Sequence, residues 1–121
     1  MLITIVINSL KLSLCNIYAP NNQTELLEFL QGLNNCLIGK SELTTLIVGG
    51  DWNCTLSKSD KIGGKPWKAT NYRNLVLNTM DIFNLIDIQR LQHPKLRKYS
   101  YKSKTLKMKS RIDFFLWLLK I

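Results

Sequence analysis

The sequence predicts a layered α/β (α+β) domain, packed sheets with helices on the outside, on three observations. Strand-like stretches outnumber helix-like ones and fall in runs with helices inserted between them, the order that layered folds show. Residues Thr44 to Val48 are too few for a helix and apolar throughout, as a strand covered on both faces is. A length of 121 residues holds one core and leaves no room for a second domain.

Each element has a local reason. Met1 to Asn8 and Leu10 to Tyr18 are rich in Ile, Val and Leu, and the second alternates Leu10, Leu12 and Leu14 with Lys11 and Ser13, so the pair reads as two strands joined at Asn8-Ser9. Asn22 with Glu25 three residues on resembles a capping box, and Leu26, Leu30, Leu33 and Leu37 recur at helical spacing until Gly39 closes the helix. Cys54 to Ala69 carries Gly63, Gly64 and Pro66 among four lysines and reads as a loop. A second helix starts near Thr70, with Leu75, Val76, Met80 and Phe83 on one face. Then come a short segment from Leu85 to Pro94, a strand near Lys98 to Lys102, and a last strand from Arg111 to about Leu118. The run Phe114 to Leu119 is the most apolar of all, yet the chain ends two residues later, so a covering segment is expected downstream.

With 45% hydrophobic and 21% charged residues, the composition is that of a soluble globular protein, with no repeat or low-complexity stretch. The apolar runs at either end are much shorter than the roughly 20 residues of a membrane span, so no membrane partner is expected. That points to an intracellular protein, of nucleus or cytoplasm. Cys15, Cys36 and Cys54 are odd in number and lack Cys-x-x-Cys spacing; they read as core or surface thiols, not as a disulfide framework or a zinc site. The net charge of +9 is unevenly placed. Nine basic residues and no acid lie between Arg90 and Arg111, while the other eight Lys and Arg balance all eight Asp and Glu. Such a segment suits contact with a polyanion such as nucleic acid, or else forms a solvated basic hairpin.

The stretch LIVGGDWNCTL, residues 46–56, ends a buried strand on two glycines and then on Asp51 and Asn53. Residues two apart in an extended chain face the same way, so the two side chains project together at the carboxyl end of the strand, where sites are commonly built. A carboxylate there takes a proton from water or holds a hard cation, and a carboxamide donates to a phosphate oxygen. The alternative by residue type is an Asx turn that closes the strand.

Five stretches carry a resemblance. NIYAPN (Asn16 to Asn21), GDWN (Gly50 to Asn53), LIDIQRLQHP (Leu85 to Pro94), YSYKS (Tyr99 to Ser103) and SRIDFFL (Ser110 to Leu116) occur in the order and at roughly the spacing seen in the endonuclease/exonuclease/phosphatase superfamily. More narrowly, they resemble the apurinic-like endonuclease domain of LINE-1-type retrotransposons, with residues 1–121 as the central part of a single such domain. The resemblance implies a four-layer α/β/β/α sandwich of the DNase I-like kind, here a partial domain, that cleaves a DNA phosphodiester with Mg²⁺ or Mn²⁺.

By the same resemblance, Asp51 is the acid that activates the attacking water, and Asn53 the amide that positions that acid and the scissile phosphate. Tyr18 matches the tyrosine whose hydroxyl reaches the phosphate or the leaving oxygen. Asp113 matches the acid that orients a catalytic histidine. Ser100 and Ser110, with Arg111, fall where the family contacts the DNA backbone, and Lys102, Lys104, Lys107 and Lys109 extend that contact along the basic segment. By type alone Tyr18 is equally a strand-edge aromatic, and Asp113 equally a strand acid paired with Arg111 or another base. Trp52 reads as packing, and His93 before Pro94 as structural.

The family's metal-binding glutamate and its closing Ser-Asp-His motif have no match in this sequence, which leaves the metal ligand set unknown and predicts a chain inactive alone. Two further readings stay open: another phosphodiesterase or phosphatase of the superfamily, and a non-catalytic nucleic-acid-binding remnant.

Overall fold

The turn at the start of the chain sets the first hairpin. In the computed structural model, which describes residues 1–39, 45–105 and 107–118, Asn8 and Ser9 have φ of 46° and 71°. Two successive left-handed residues make the two-residue turn whose twist matches that of the strands it joins. Leu2–Ile7 (β1) and Leu10–Tyr18 (β2) accordingly pair antiparallel, with Ile3 opposite Leu14 and Ile5 opposite Leu12. The Asn22 side chain then accepts the Glu25 backbone N–H at 2.8 Å and starts Gln23–Leu37 (α1), whose Leu26, Leu30, Leu33 and Leu37 are all buried as their spacing predicts.

Thr45–Asp51 (β3) follows; Thr44 and Leu119, expected at strand ends, lie outside the described residues. The stretch expected to be a loop carries one turn of 3₁₀-helix, Lys58–Asp60, and a two-residue strand, Lys61–Ile62 (β4). Thr70 caps Asn71–Phe83 (α2) by accepting the Arg73 N–H at 3.1 Å, and Asn84, left-handed at φ 53°, ends it. Ile86–Asp87 (β5), Ile88–Gln92 (α3), Tyr101–Lys102 (β6), Lys109–Ser110 (β7) and Asp113–Leu118 (β8) complete the chain. The last strand starts at Asp113, not Arg111, because the Arg111 N–H donates to the Asp60 carbonyl and the Ile112 carbonyl accepts from Trp52 N–H.

Five strands form one sheet in the order β1-β2-β3-β8-β5, with β2 and β3 parallel and the other neighbours antiparallel; β4-β7-β6 form a small second sheet. One face of the large sheet presents Cys15, Ile17, Leu46, Val48, Phe114 and Leu116, and these pack into one cluster with the α1 leucines and with Val76 and Phe83 of α2. Trp52 joins that cluster, as expected of a packing residue: it is fully buried, its ring stacks on Phe114 at 5.8 Å, and its Nε1 donates to the Phe114 carbonyl at 3.1 Å.

The expectation that the last strand lacks cover is half corrected. β8 returns to the interior of the sheet between β3 and β5, so its Phe114 and Leu116 lie under helices that precede it in sequence. Its other face is open: Phe115, Ile3 and Ile5 are exposed, and the register sets Leu14 beside Ile47 and Ile47 beside Trp117 on the same side. An apolar face of this kind is what the inner face of a sandwich presents to a second sheet. The described residues therefore hold one large sheet and its outer helices.

The two glycines before Asp51 do different work. A Cβ on Gly49 would lie 2.1 Å from the Phe115 ring, so the aromatic sits directly on the β3 backbone. Gly50 has φ 137°, and a Cβ there would meet the Ile17 carbonyl oxygen at 2.0 Å, within the β2–β3 ladder itself. Gly50→Ala combines a backbone clash with a disfavoured φ and is expected to cost about 2 kcal/mol or more, read as a lower urea midpoint. The fully buried Leu116 is expected to cost about 2 to 5 kcal/mol when replaced by Ala in the same measurement.

Candidate active site

The register of the central strands brings three of the four expected catalytic residues into one row. Tyr18 on β2 is the Cα partner of Asp51 on β3, and Asp51 is the partner of Asp113 on β8. All three lie at the same end of the sheet, and the alternation of buried neighbours (Ile17, Trp52, Phe114) puts them on the open face. Tyr18 is 73% exposed, Asp113 is exposed and Asp51 half-buried. Two carboxylates directly opposite on paired strands cost stability, and a bound cation or proton relieves that cost.

Asn53 follows in a left-handed turn at φ 53°. Its backbone N–H donates to Asp51 Oδ1 at 2.8 Å, and its Nδ2 donates to the Ala19 carbonyl. The Asx turn allowed by residue type is thus formed, and it orients the Asp51 carboxylate while leaving its second oxygen free of any hydrogen bond among the described residues. Nearby, burial pushes the Cys54 thiol up to about 12, so no thiolate nucleophile is present there at neutral pH. The Tyr72 hydroxyl hydrogen-bonds to the Trp52 carbonyl at 3.0 Å and to the Pro20 carbonyl, tying the segments after β3 and β2 together.

Behind the row is a buried charge network that sequence reasoning missed. Asp60 and Arg111 are 1% and 3% exposed. Arg111 donates through Nε to Asp60 at 2.8 Å and through Nη2 to Asp87, and it lies over the Phe114 ring at 5.1 Å; Arg90 donates to Asp60 at 2.6 Å. Burial alone would raise the Asp60 carboxyl, but hydrogen bonds from Arg111 and Arg90 outweigh it and hold the group below its ordinary value. Ser57 hydrogen-bonds the same carboxylate through its N–H and hydroxyl, and the capping-box spacing of Ser57 and Asp60 was the one available sequence signal.

These contacts correct part of the expected DNA interface. Arg111 is turned inward and held by two carboxylates, and Ser110 is 6% exposed, so neither presents its side chain to a ligand outside. Among the described residues Arg111 pairs with Asp60 and Asp87, and not with Asp113 as the alternative for that acid supposed. Ser100 is exposed, and its Oγ accepts the backbone N–H groups of Ile112 at 2.9 Å and Asp113 at 3.1 Å, clamping the start of β8. The exposed basic segment is also smaller than the sequence suggests: Arg90 and Arg111 are paired with Asp60 and Asp87, leaving Lys95, Arg97, Lys98, Lys102, Lys104, Lys107 and Lys109 exposed. Lys102, Lys104, Lys107 and Lys109 line one open groove of 660 Å³ with Tyr99. His93 is exposed, and its backbone N–H closes α3 by donating to the Gln89 carbonyl.

A divalent ion takes oxygen ligands, most readily carboxylates. Among the described residues no three His, Cys, Asp or Glu side chains come together as a metal-holding group. Asp51 and Asp113 do not amount to a complete site, and these residues do not fit a metal held by this chain alone.

The mixed sheet with helices on one face has the fold of DNase I-like AP endonucleases, over about half of such a domain. AP endonuclease LMAP from Leishmania major superposes with TM-score 0.76 at 18% identity over 96% of this chain and 44% of that one. The 3′ phosphatase NExo from Neisseria, solved bound to a product DNA hairpin, gives 0.73 at 18% over 96% and 51%. The endonuclease domain of TRAS1, a telomere-specific non-LTR retrotransposon, gives 0.67 at 13% over 95% and 48%. In sequence, the chain is 29% identical over 89 residues to the transposon TX1 uncharacterized 149 kDa protein of Xenopus laevis, covering 74% of this chain and 7% of that protein. The chain spans about half the length of these solved structures. No protein-family model matches it. No helix among the described residues is long and apolar enough to cross a membrane.

Replacing Asp60 by Ala leaves Arg111 buried and short of one partner, and is expected to cost about 3 to 5 kcal/mol in chemical denaturation. Because the folded carboxyl titrates below the unfolded value of about 3.9, its contribution is complete above that pH and disappears as pH falls through the lower folded value. The wild-type chain should therefore become steeply less stable below about pH 4, and Asp60→Asn should flatten that limb.

Proposed function

We propose that this chain is the part of a DNA endonuclease domain that carries the water-activating side of a phosphodiester hydrolase, of the kind encoded by LINE-type retrotransposons. The row of Tyr18, Asp51 and Asp113 across three adjacent strands, with Asn53 hydrogen-bonded beside it, is the observation that carries this reading. Asp51 accepts the proton of the attacking water through its free oxygen. Asn53 holds Asp51 in place and keeps a second amide hydrogen for the phosphate. Tyr18, solvent-facing at the row's end, donates its hydroxyl to a phosphate or leaving-group oxygen. Asp113 orients and charge-stabilises an imidazole, the usual role of an acid paired with histidine.

The resemblance also calls for that histidine and for a metal-binding glutamate, neither of which has a counterpart in the sequence. We assign both, and with them the Mg²⁺ or Mn²⁺ ion, to the remaining half of such a domain, and expect this chain alone to be inactive. A DNA substrate accords with a nuclear or cytoplasmic protein. DNA is favoured over a small headgroup because four exposed lysines line one groove, where counterion release rewards several phosphates at once. The same lysines support the second reading, a nucleic-acid binder without catalysis.

With the polypeptide encoded on both sides restored, supercoiled plasmid should be nicked in Mg²⁺, and Asp51→Asn should slow nicking roughly 10²-fold or more. Nicking that survives Asp51→Asn would remove Asp51 from the chemistry, and a plasmid shifted in a gel but never cut would select the binder. For this chain alone, replacing Lys102, Lys104, Lys107 and Lys109 by Ala should reduce the slope of log affinity against log salt by about one unit for each phosphate that those lysines neutralise.

A further inference from the structure

The large sheet ends on a strand that lacks the usual defences against pairing. β1 is the outermost of the five strands, so one side of its backbone has no neighbouring strand among the described residues. Its sequence, LITIVI, has no charge, no proline and no glycine, and five of its six residues are β-branched. Edge strands are normally blunted by charges, proline, bulges or a covering segment. Here the register with β2 runs unbroken from Leu2 to Ile7, without a bulge. Lys11 is the only charged side chain in residues 1–24, although the chain carries +9 overall.

The ladder decides which backbone groups this edge presents. In an antiparallel pair alternate residues bond inward, and those between them turn both N–H and C=O outward. Met1 and Asn16 exchange both bonds, at 3.1 and 2.9 Å, so Met1, Ile3, Ile5 and Ile7 are the inward set and Leu2, Thr4 and Val6 the outward one. The same alternation puts Leu2, Thr4 and Val6 on the helix-covered face, opposite Cys15, Ser13 and Lys11, and Ile3 and Ile5 on the open face. Leu2 lines an apolar groove against α1 with Cys15, Phe29 and Leu33, while Thr4 and Val6 are exposed.

The outward set is complementary to itself. Two antiparallel copies of β1 bond only where outward residues meet, and a register centred on Thr4 uses all three: Thr4 opposite the second copy's Thr4, and Leu2 opposite its Val6. Ile3 then faces the second copy's Ile5 on the open side, and the exposed Val6 is covered by Leu2 at the edge of the groove. The edge offers no charge that would select a different partner, and threonine pairs and aliphatic pairs are favourable across strands.

We infer that β1 is a self-association edge whose partner is a second copy of this chain, joined antiparallel in that register about a two-fold axis through Thr4. One sheet then runs through both copies, with both open faces on the same side. The inference is independent of the chemistry proposed for the row.

The test is amide hydrogen exchange, read by NMR on the ¹⁵N-labelled chain from about 0.05 to 1 mM, with sedimentation equilibrium over the same range, which suits a small interface. The amides of Leu2, Thr4 and Val6 should exchange fast when dilute and slow down as a dimer forms. Those of Ile3 and Ile5 should stay slow throughout and report an intact hairpin. Thr4→Lys and Thr4→Glu each set like charges opposite one another and should weaken association about fivefold or more, and an equimolar mixture of the two should restore it. If the wild-type chain stays monomeric and the outward amides exchange fast at every concentration, the edge is bare and the inference fails. If those amides are slow even in the dilute monomer, a segment of the same chain covers the edge, and it fails equally. A dimer that both variants leave intact, or that the mixture does not restore, is joined elsewhere and overturns the assignment to β1.

Discussion

The Arg111 guanidinium, buried between Asp60 and Asp87, is the contact on which the functional end of the molecule depends. Asp60 belongs to the long segment after β3, Asp87 to the end of β5, and Arg90, which shares Asp60, to α3. Three segments are thereby joined to the residues that lead into β8. A charge so deeply buried is tolerable only when its donors find acceptors, and that condition disfavours any packing that would part Arg111 from its two carboxylates. Ser100 adds a second restraint on the same spot by accepting the N–H groups of Ile112 and Asp113. The position of Asp113 beside Asp51 is thus held from behind by charge and from the side by a hydroxyl, as well as by strand pairing.

On that support the sheet end becomes a place where reactive side chains can stand together without burying themselves. Every second residue of β2, β3 and β8 packs under α1 and α2, so the intervening residues are forced to the other face. Trp52 and Phe114, stacked within the core, pin the ends of β3 and β8 and so fix Asp51, Asn53 and Asp113 around them. The turn that closes β3 also positions its carboxylate. The Asx turn uses one oxygen of Asp51 and leaves the other without a hydrogen bond among the described residues.

The fold shared with AP endonucleases, a 3′ phosphatase and a retrotransposon endonuclease domain gives this arrangement a context, while identities of 13% to 18% carry the architecture and not the substrate. What argues for nucleic acid comes from the chain's own charge. Seven exposed basic residues lie between Lys95 and Lys109, and four of them line one groove with Tyr99.

Much of this was legible from one dimension. Alternating Leu10, Leu12 and Leu14, the leucines of α1, the caps at Asn22 and Thr70, and the run into Gly49-Gly50-Asp51 are local signals, because period, capping and left-handed turns act within a few residues. The same locality made Asp51 and Asn53 visible as a pair, and the order of five short motifs brought in Tyr18 and Asp113. Their alignment in one row is a property of strand register, which joins Tyr18 to Asp51 and Asp51 to Asp113 across long stretches of chain and has no local signature. The partner of a buried charge is equally nonlocal. The resemblance puts Ser110 and Arg111 among contacts to the DNA backbone, yet Asp60, 51 positions from Arg111, draws the arginine inside. Local chemistry determined which residues are capable of function here, and only the folded arrangement decided which of them face the solvent, because burial and pairing are settled by long-range contacts.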